Sequence, residues 1–79
     1  MSHRQRPKHL ASKLLAIRKR LNLSQSQMAL RLDIKVGTAR ISEWENGVRE
    51  PDLFVLLRYA RLLNVRMEIL VDDKLKLPH

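Results

Sequence analysis

Apolar residues recur in this chain at helical spacing, in short segments that end at residues typical of helix termini. Leu10, Leu14, Ile17 and Leu21 lie three or four positions apart, which places them on one face of an α-helix. Trp, Tyr and Phe occur once each, so aliphatic side chains on amphipathic helices must supply the core. The sequence therefore predicts an all-α fold.

The length of 79 residues accommodates one domain with one core. The chain has no cysteine, so it uses neither disulfides nor thiolate metal sites, and it suits a reducing cytoplasm. Its apolar runs are far shorter than a membrane span requires, and its first residues are too polar for a secretory signal. We therefore expect a cytoplasmic protein with no membrane partner.

Local signals predict where the first two helices end and begin. Asn22 is suited to the left-handed turn that closes the first helix. Ser24 and Gln27 have the spacing of a capping box, in which each side chain bonds to a free backbone amide of the other residue. They predict a second helix over about residues 25–32.

The third helix is predicted after a break at residues 33–37, in which Gly37 is expected to take a positive φ. It runs from about Thr38 to Asn46 and stops at Gly47. A capped second helix that a tight break joins to a third helix is the arrangement of a helix-turn-helix motif.

The fourth helix is predicted to begin after Asp52, an N-cap residue type, and to continue through Leu63. We expect its buried side to consist of five apolar residues, namely Leu53, Leu56, Leu57, Ala60 and Leu63. A short fifth helix over about residues 67–71 is predicted to add Ile69 and Leu70 to the core.

Composition divides the chain into three segments. Residues 1–9 are predicted to be a basic, flexible N-terminal arm, residues 10–72 the folded helix-turn-helix domain, and residues 73–79 a C-terminal tail. Leu75 and Leu77 alternate with charged residues in the tail. We expect them to be exposed and to contribute to a homodimer contact.

The formal net charge of +8 is unevenly distributed, because every charged residue before Asp33 is basic. Such a basic end attracts polyanions, and nucleic acid is the expected partner, whereas solubility or attraction to an anionic membrane would also account for the charge. Arg4, Arg6 and Lys8 either enter a minor groove or form a disordered charged start. The basic residues that lie off the apolar stripe of the first helix are expected to face water or phosphate: Lys13, Arg18, Lys19 and Arg20.

Three segments, LSQSQMALRL, ISEWENG and REPDLFVLL, resemble the repressor-and-Cro type of helix-turn-helix, also called the Cro/C1 or XRE type. The resemblance covers about residues 14–72. It implies a lambda-repressor-like compact bundle of five short helices, in which helices two and three form the helix-turn-helix and helix three reads the major groove of double-stranded DNA. It also implies that Ile41 and Trp44 face the core.

The resemblance implies a set of DNA-contacting residues. Gln25, at the start of helix two, is expected to contact phosphate and in some complexes a base. The positions expected to face base edges are Thr38, Ala39, Arg40 and Glu43. Arg40 is the best candidate for direct readout, because arginine can donate two hydrogen bonds to guanine. Two roles remain open for Glu43, which either accepts from a cytosine amine or repels phosphate at wrong sites.

Further positions are expected to contact the DNA backbone, namely Ser42, Asn46 and Arg49. One departure from the family pattern lengthens the stretch from Leu32 to Trp44 by two residues, apparently Lys35 and Val36. Helix three is therefore expected to start later or to tilt, and Lys35 becomes a candidate phosphate contact from the longer turn.

The chain is accordingly expected to be a small transcriptional regulator, a repressor that binds specific DNA as a homodimer on the nucleoid. An alternative is a protein-binding module, such as an antitoxin that neutralises a toxin, and binding of structured RNA is a weaker third hypothesis. No set of residues suggests an enzyme, a cofactor or a catalytic site. The histidines lack metal-ligand spacing, so no metal site is expected at His3, His9 or His79.

Overall fold

The computed structural model describes residues 7–35 and 37–78, and this part of the chain forms five helices without a strand. The helices are α1 (Leu10–Arg20), α2 (Gln25–Arg31), α3 (Thr38–Glu45), α4 (Leu53–Leu63) and α5 (Glu68–Val71). The all-α prediction and the order of the five helices are confirmed. The predicted bounds agree with these to within one or two residues at each end.

The predicted N-caps form. The Ser24 hydroxyl oxygen accepts from the backbone amide of Gln27 at 3.1 Å, and the Gln27 side-chain oxygen accepts from the backbone amide of Ser24 at 2.8 Å. The Asp52 carboxylate accepts from the amide of Val55 at 2.9 Å. These bonds satisfy amides that lack a partner inside the helix, so they determine where α2 and α4 begin.

A residue with a positive φ follows each of the first four helices. Asn22 follows α1 with a φ of 57°, Asn64 follows α4 with a φ of 55°, and Gly47 follows α3 with a φ of 74°. The expectation for Gly37 is wrong, because its φ is −81° and it is the N-cap of α3. Asp33 takes the positive φ instead, at 54°, because the chain must turn directly after α2 and a short polar side chain tolerates this conformation.

One apolar core joins the helices, with α1 and α3 contributing Leu14, Ile17 and Ile41 at complete burial. Trp44 is also buried, as predicted, and its ring meets that of Tyr59 edge to face at 6.4 Å between centroids. The Tyr59 hydroxyl is buried without a hydrogen-bond partner. Burial raises the pKa of this phenol well above its ordinary value.

The buried side of α4 differs from the predicted one. Leu56 and Ala60 are buried as expected, but Leu53 is 63% exposed, whereas Val55 and Tyr59 are buried. A helix that is apolar over most of its circumference offers several possible inner faces, so its own periodicity does not select one. The neighbouring helices make this choice.

Lys13 faces the interior rather than water or phosphate, which corrects the expectation for this residue. Its ammonium group donates to the carbonyl oxygens of Ile69 at 2.7 Å and Asp72 at 2.9 Å. Both carbonyls lie at the end of α5, where backbone acceptors lack helical partners. Lys13 therefore ties α1 to the C-terminal end of α5.

The described part of the C-terminal tail lies against α1. The Asp73 carboxylate accepts from the backbone amides of Lys8 at 2.9 Å and His9 at 3.0 Å, and these bonds lower the pKa of Asp73. Arg20 donates to the carbonyl oxygen of Pro78, and Leu77 packs against the core. The tail leucine is therefore partly covered by its own chain. Arg4 and Arg6 lie outside the described residues.

Candidate nucleic-acid interface

Helices α2 and α3 pack against each other through their apolar sides and present polar sides to solvent. Met28, Ala29 and Leu32 form the inner side of α2, and Ile41 and Trp44 form that of α3. The two helices are thereby held in one orientation, and the intervening turn includes residues 33–35.

Arg58 of α4 holds the first half of this turn. One of its guanidinium nitrogens, Nη1, donates to the carbonyl oxygens of Leu32 at 2.8 Å and Asp33 at 2.6 Å, and lies 3.9 Å from the Asp33 carboxylate. The carbonyls at the end of α2 are thus satisfied by a charged donor from another helix. No local pattern in the sequence predicts this tether, which lies at the start of the turn that precedes α3.

The structure places all of the predicted DNA-contacting residues at least partly in solvent. Thr38 and Ala39 are exposed at the start of α3, and Arg40 and Glu43 are half-buried on its outer side. Three of the remaining residues are exposed, namely Lys35, Asn46 and Arg49, and the other two, Gln25 and Ser42, are half-buried.

Glu43 lies between two arginines of this surface. Its Oε1 atom is 3.7 Å from Nη1 of Arg40 and 3.5 Å from Nε of Arg49. Its backbone carbonyl accepts from the amide of Val48 at 2.9 Å. Arg40 and Arg49, predicted to contact a base and the DNA backbone respectively, therefore meet at a single carboxylate.

Ser42 and Asn46 form a second pair one helical turn apart. The Asn46 side-chain amide donates to the Ser42 carbonyl at 2.9 Å and to its hydroxyl oxygen at 3.2 Å. Both side chains remain at the surface, next to the end of α3.

A buried ion pair supports Gln25 from below. Glu45 accepts from Arg18 at 2.6 Å and 3.0 Å, and its Oε1 atom also accepts from the Gln25 side-chain amide at 3.2 Å. Arg18 also donates to the carbonyl of Leu23, and its hydrogen bond to Glu45 raises the pKa of the guanidinium above its ordinary value. The start of α2 is thereby joined to α1 and α3.

Arg18 and Glu45 were missed as members of the site. Arg18 was expected to face water or phosphate, but its side chain is 16% exposed and that of Glu45 only 4%. One signal was present, since Glu45 follows Ile41 by four positions and so lies near the apolar side of α3. A carboxylate on the buried side of a helix requires a partner with the opposite charge, and an arginine on another helix, such as Arg18, can supply it.

Two kinds of site, a metal centre and a membrane span, are not formed by the part of the chain that the structure describes. Among residues 7–35 and 37–78, no group of three His, Asp or Glu side chains is arranged to hold a metal ion. Over the same residues, each helix is too short or too polar to cross a membrane.

The sequence model of the helix-turn-helix family matches residues 14–70, which includes α2, the turn, α3 and α4. The chain belongs to the helix-turn-helix family. The resemblance to the repressor-and-Cro type, carried by the motifs around α2, α3 and α4, is confirmed.

Two comparisons place this helix-turn-helix chain among known proteins. Antitoxin HigA1 of Mycobacterium tuberculosis, from strains CDC 1551 / Oshkosh and ATCC 25618 / H37Rv, is 34% identical over 65 residues, which is 82% of this chain. The chain spans 42% of the length of these relatives. The P22 c2 repressor, solved in complex with synthetic operator 9T in the presence of Tl⁺, matches with a TM-score of 0.70 and 25% identity.

The match to the P22 c2 repressor covers 81% of this chain and 94% of that one. The lambda-repressor-like fold that the motifs implied is therefore confirmed. On either side of the turn, α2 and α3 bury their apolar sides in the same core.

Proposed function

We propose that this helix-turn-helix protein is a sequence-specific DNA-binding transcriptional regulator, a repressor in which α3 enters the major groove. The observation that carries the proposal is the outer side of α3, where Arg40 and Glu43 are accessible in a fold that the P22 c2 repressor presents to its operator. An α-helix fits the width of the major groove, where each base pair presents a distinct pattern of donors and acceptors. Family and fold are those of DNA-binding regulators rather than enzymes.

The site residues divide into two proposed roles. Arg40 reads a base edge, and Thr38 and Ala39 face the bases beside it, whereas Glu43 lies next to Arg40 on α3. Phosphates are contacted by Gln25, Lys35, Ser42, Asn46 and Arg49. The burial of Arg18 and Glu45 beneath Gln25 supports this division, because the Gln25 side chain is held at the surface by a hydrogen bond. Such a regulator acts in the cytoplasm, on the nucleoid.

The repressor is proposed to act as a homodimer through an apolar cluster at the start of α4. Leu53 and Phe54 are 63% and 72% exposed, and Leu53 borders a groove that reaches Val71 of α5. The half-burial of Leu75 and Leu77 makes this cluster a better candidate than the tail. Phe54→Ser is expected to give a monomer in light scattering, whereas an unchanged dimer mass would refute the contact.

Selection of binding sites from a random duplex library tests the DNA-binding proposal. The purified wild-type protein, at near-physiological salt, is expected to enrich one motif, with paired half-sites if it binds as a dimer. Arg40→Ala is expected to lose preference at one base pair. Lys35→Ala is expected to weaken all duplexes alike and to reduce the salt dependence of binding by about one ion.

Lys74→Ala is the matched control, because Lys74 is exposed in the tail and its loss changes the net charge equally. We expect it to leave the enriched motif and the affinity almost unchanged. Weak binding without a motif that disappears on adding salt would contradict the proposal, since it would show only a polyanion patch.

An antitoxin role is the second candidate, favoured by the similarity to HigA1 over most of this chain. In that role the protein binds and neutralises a toxin, and DNA binding is secondary. Co-expression with the products of adjacent genes, followed by size-exclusion chromatography, tests it. A stable complex with one of them, together with motif-free DNA binding, would replace the repressor proposal.

A further inference from the structure

The carboxylate of Glu43 is shared by two cations of the candidate recognition surface, and this arrangement assigns it a role of its own. One oxygen atom, Oε1, lies 3.7 Å from the Arg40 guanidinium and 3.5 Å from that of Arg49. The three side chains range from 36% to 58% exposed, so the contacts are close to the surface that DNA would approach. The two arginines come from different parts of the chain, one on α3 and the other on the loop after it.

Backbone hydrogen bonds hold Glu43 and Arg49 in a fixed relative position. The carbonyl oxygen of Glu43 accepts from the amides of Val48 at 2.9 Å and Arg49 at 3.4 Å. The start of the loop after α3 is therefore bonded to the same residue whose side chain pairs with Arg49. Arg40 lies one turn earlier on α3, where residues three apart are neighbours. Helix and loop thus converge on Glu43.

We propose that Glu43 is a positioning residue for Arg40 and Arg49, rather than a group that reads a base itself. This inference rests on the proposed DNA-binding function. A carboxylate on one side of the Arg40 guanidinium leaves the donors on its other side directed away from Glu43, where a guanine can accept them. Because Glu43 restricts the rotamers of the Arg40 side chain in the free protein, Arg40 loses less conformational entropy when it binds its specific site.

The same carboxylate restrains binding to other sequences. Where no guanine faces Arg40, the negative charge of Glu43 remains close to the DNA and offsets part of the attraction of the two arginines for phosphate. Electrostatic attraction supplies essentially all of non-specific affinity. Glu43 therefore raises the ratio of specific to non-specific affinity in two ways. It favours the contact between Arg40 and guanine, and it weakens the attraction of the two arginines for phosphate at other sequences.

Glu43→Gln tests this role, because it keeps the size of the side chain and removes its charge. Relative to wild type, the affinity for the enriched motif is expected to fall by roughly twofold to tenfold, the effect of releasing one ordered side chain. The affinity for a scrambled duplex is expected to rise. In an Arg40→Ala background, Glu43→Gln should weaken motif binding less than it does in wild type, because only its effect on Arg49 remains.

The control variant is Glu68→Gln, which removes an exposed carboxylate at the start of α5 that pairs with Arg66 at 2.8 Å. It should leave the ratio of motif to scrambled binding unchanged. Two outcomes would overturn the proposal. One is an equal change in both affinities with Glu43→Gln, and the other is a changed base preference that persists without Arg40, which would show direct readout by Glu43.

A measurement without DNA separates this inference from the function on which it rests. Nitrogen-15 relaxation of the arginine side chains is expected to show Arg40 and Arg49 more ordered than exposed Arg61 in the free wild-type protein. Glu43→Gln should release both. Equal mobility of the three guanidiniums in wild type would refute the positioning role, whatever the protein binds, whereas failure to enrich a motif would refute only the proposed function.

Discussion

Glu45→Ala is expected to be among the most destabilising single changes in this protein, because it leaves a charged guanidinium without its partner. The Glu45 side chain is 4% exposed and accepts three hydrogen bonds, two from Arg18 and one from Gln25. Removing one partner of a buried ion pair costs about 3–5 kcal/mol. Arg18 is 16% exposed and retains its bond to Leu23, so we expect the lower end, about 3 kcal/mol.

Such a loss is large for a chain of 79 residues, whose total stability is expected to be about 4–12 kcal/mol. It corresponds to a fall in Tm of about 12–24 °C for a domain of this size. Urea unfolding monitored by the fluorescence of Trp44, together with circular dichroism on heating, measures both quantities. Glu43→Ala is the control, since its half-exposed ion pairs are worth less than about 1 kcal/mol.

The double change Arg18→Met with Glu45→Leu distinguishes the loss of a partner from the loss of packing. Apolar side chains of similar size often replace a buried ion pair without loss of stability, so the double variant is expected to recover most of what Glu45→Ala loses. The reasoning is refuted if Glu45→Ala is no more destabilising than Glu43→Ala. It is also refuted if the double variant is less stable than Glu45→Ala.

Three further predictions, on four substitutions, test other parts of the structure. Tyr59→Phe should raise stability by about 1 kcal/mol in urea unfolding, because it removes a buried hydroxyl without a partner, and a loss would mean that this hydroxyl is bonded. Gly47→Ala should cost about 1–2 kcal/mol because of the φ of 74°, whereas Gly37→Ser, at a φ of −81°, should be neutral or slightly stabilising. Asp73 has a lowered pKa in the folded state, so its ionised carboxylate stabilises the fold. This contribution to stability is fully present above the unfolded-state pKa of about 3.9, and it is lost as the pH falls through the lower folded-state pKa. Asp73→Asn should therefore lose less stability than wild type between about pH 5 and pH 2 in urea titrations, and parallel curves would refute the contribution.

Structural features that involve only residues close together in the sequence were predicted correctly. The caps at Ser24 and Asp52 and the left-handed residues Asn22 and Gly47 occur where expected, because each requires only a residue type and a backbone amide or carbonyl a few positions away. The spacing of the three motifs likewise indicated the helix-turn-helix family. The positive φ in the break was assigned to Gly37, since residue type alone favours glycine over Asp33.

The predicted DNA-contacting residues lie on the outer side of α2 and α3 or on the segments beside them. The spacing of residues along the sequence is enough to predict this position. Their partners within the protein were not predicted. Gln25 is held by Glu45, and Arg40 shares a carboxylate with Arg49. The contacts that these residues make with DNA remain predictions.

The helices, their ends and the family are predictable from the sequence, because they depend on short-range hydrogen bonds and on the spacing of side chains along the chain. Packing between helices, and no local pattern, determines which side of α4 is buried, that Lys13 bonds to the end of α5, and that Arg18 pairs with Glu45. Arg18 and Glu45 are 27 positions apart, so neither residue carries a local signal of the other. A buried charge is stable only with its partner in place, and the packing of α1 against α3 brings that partner to it.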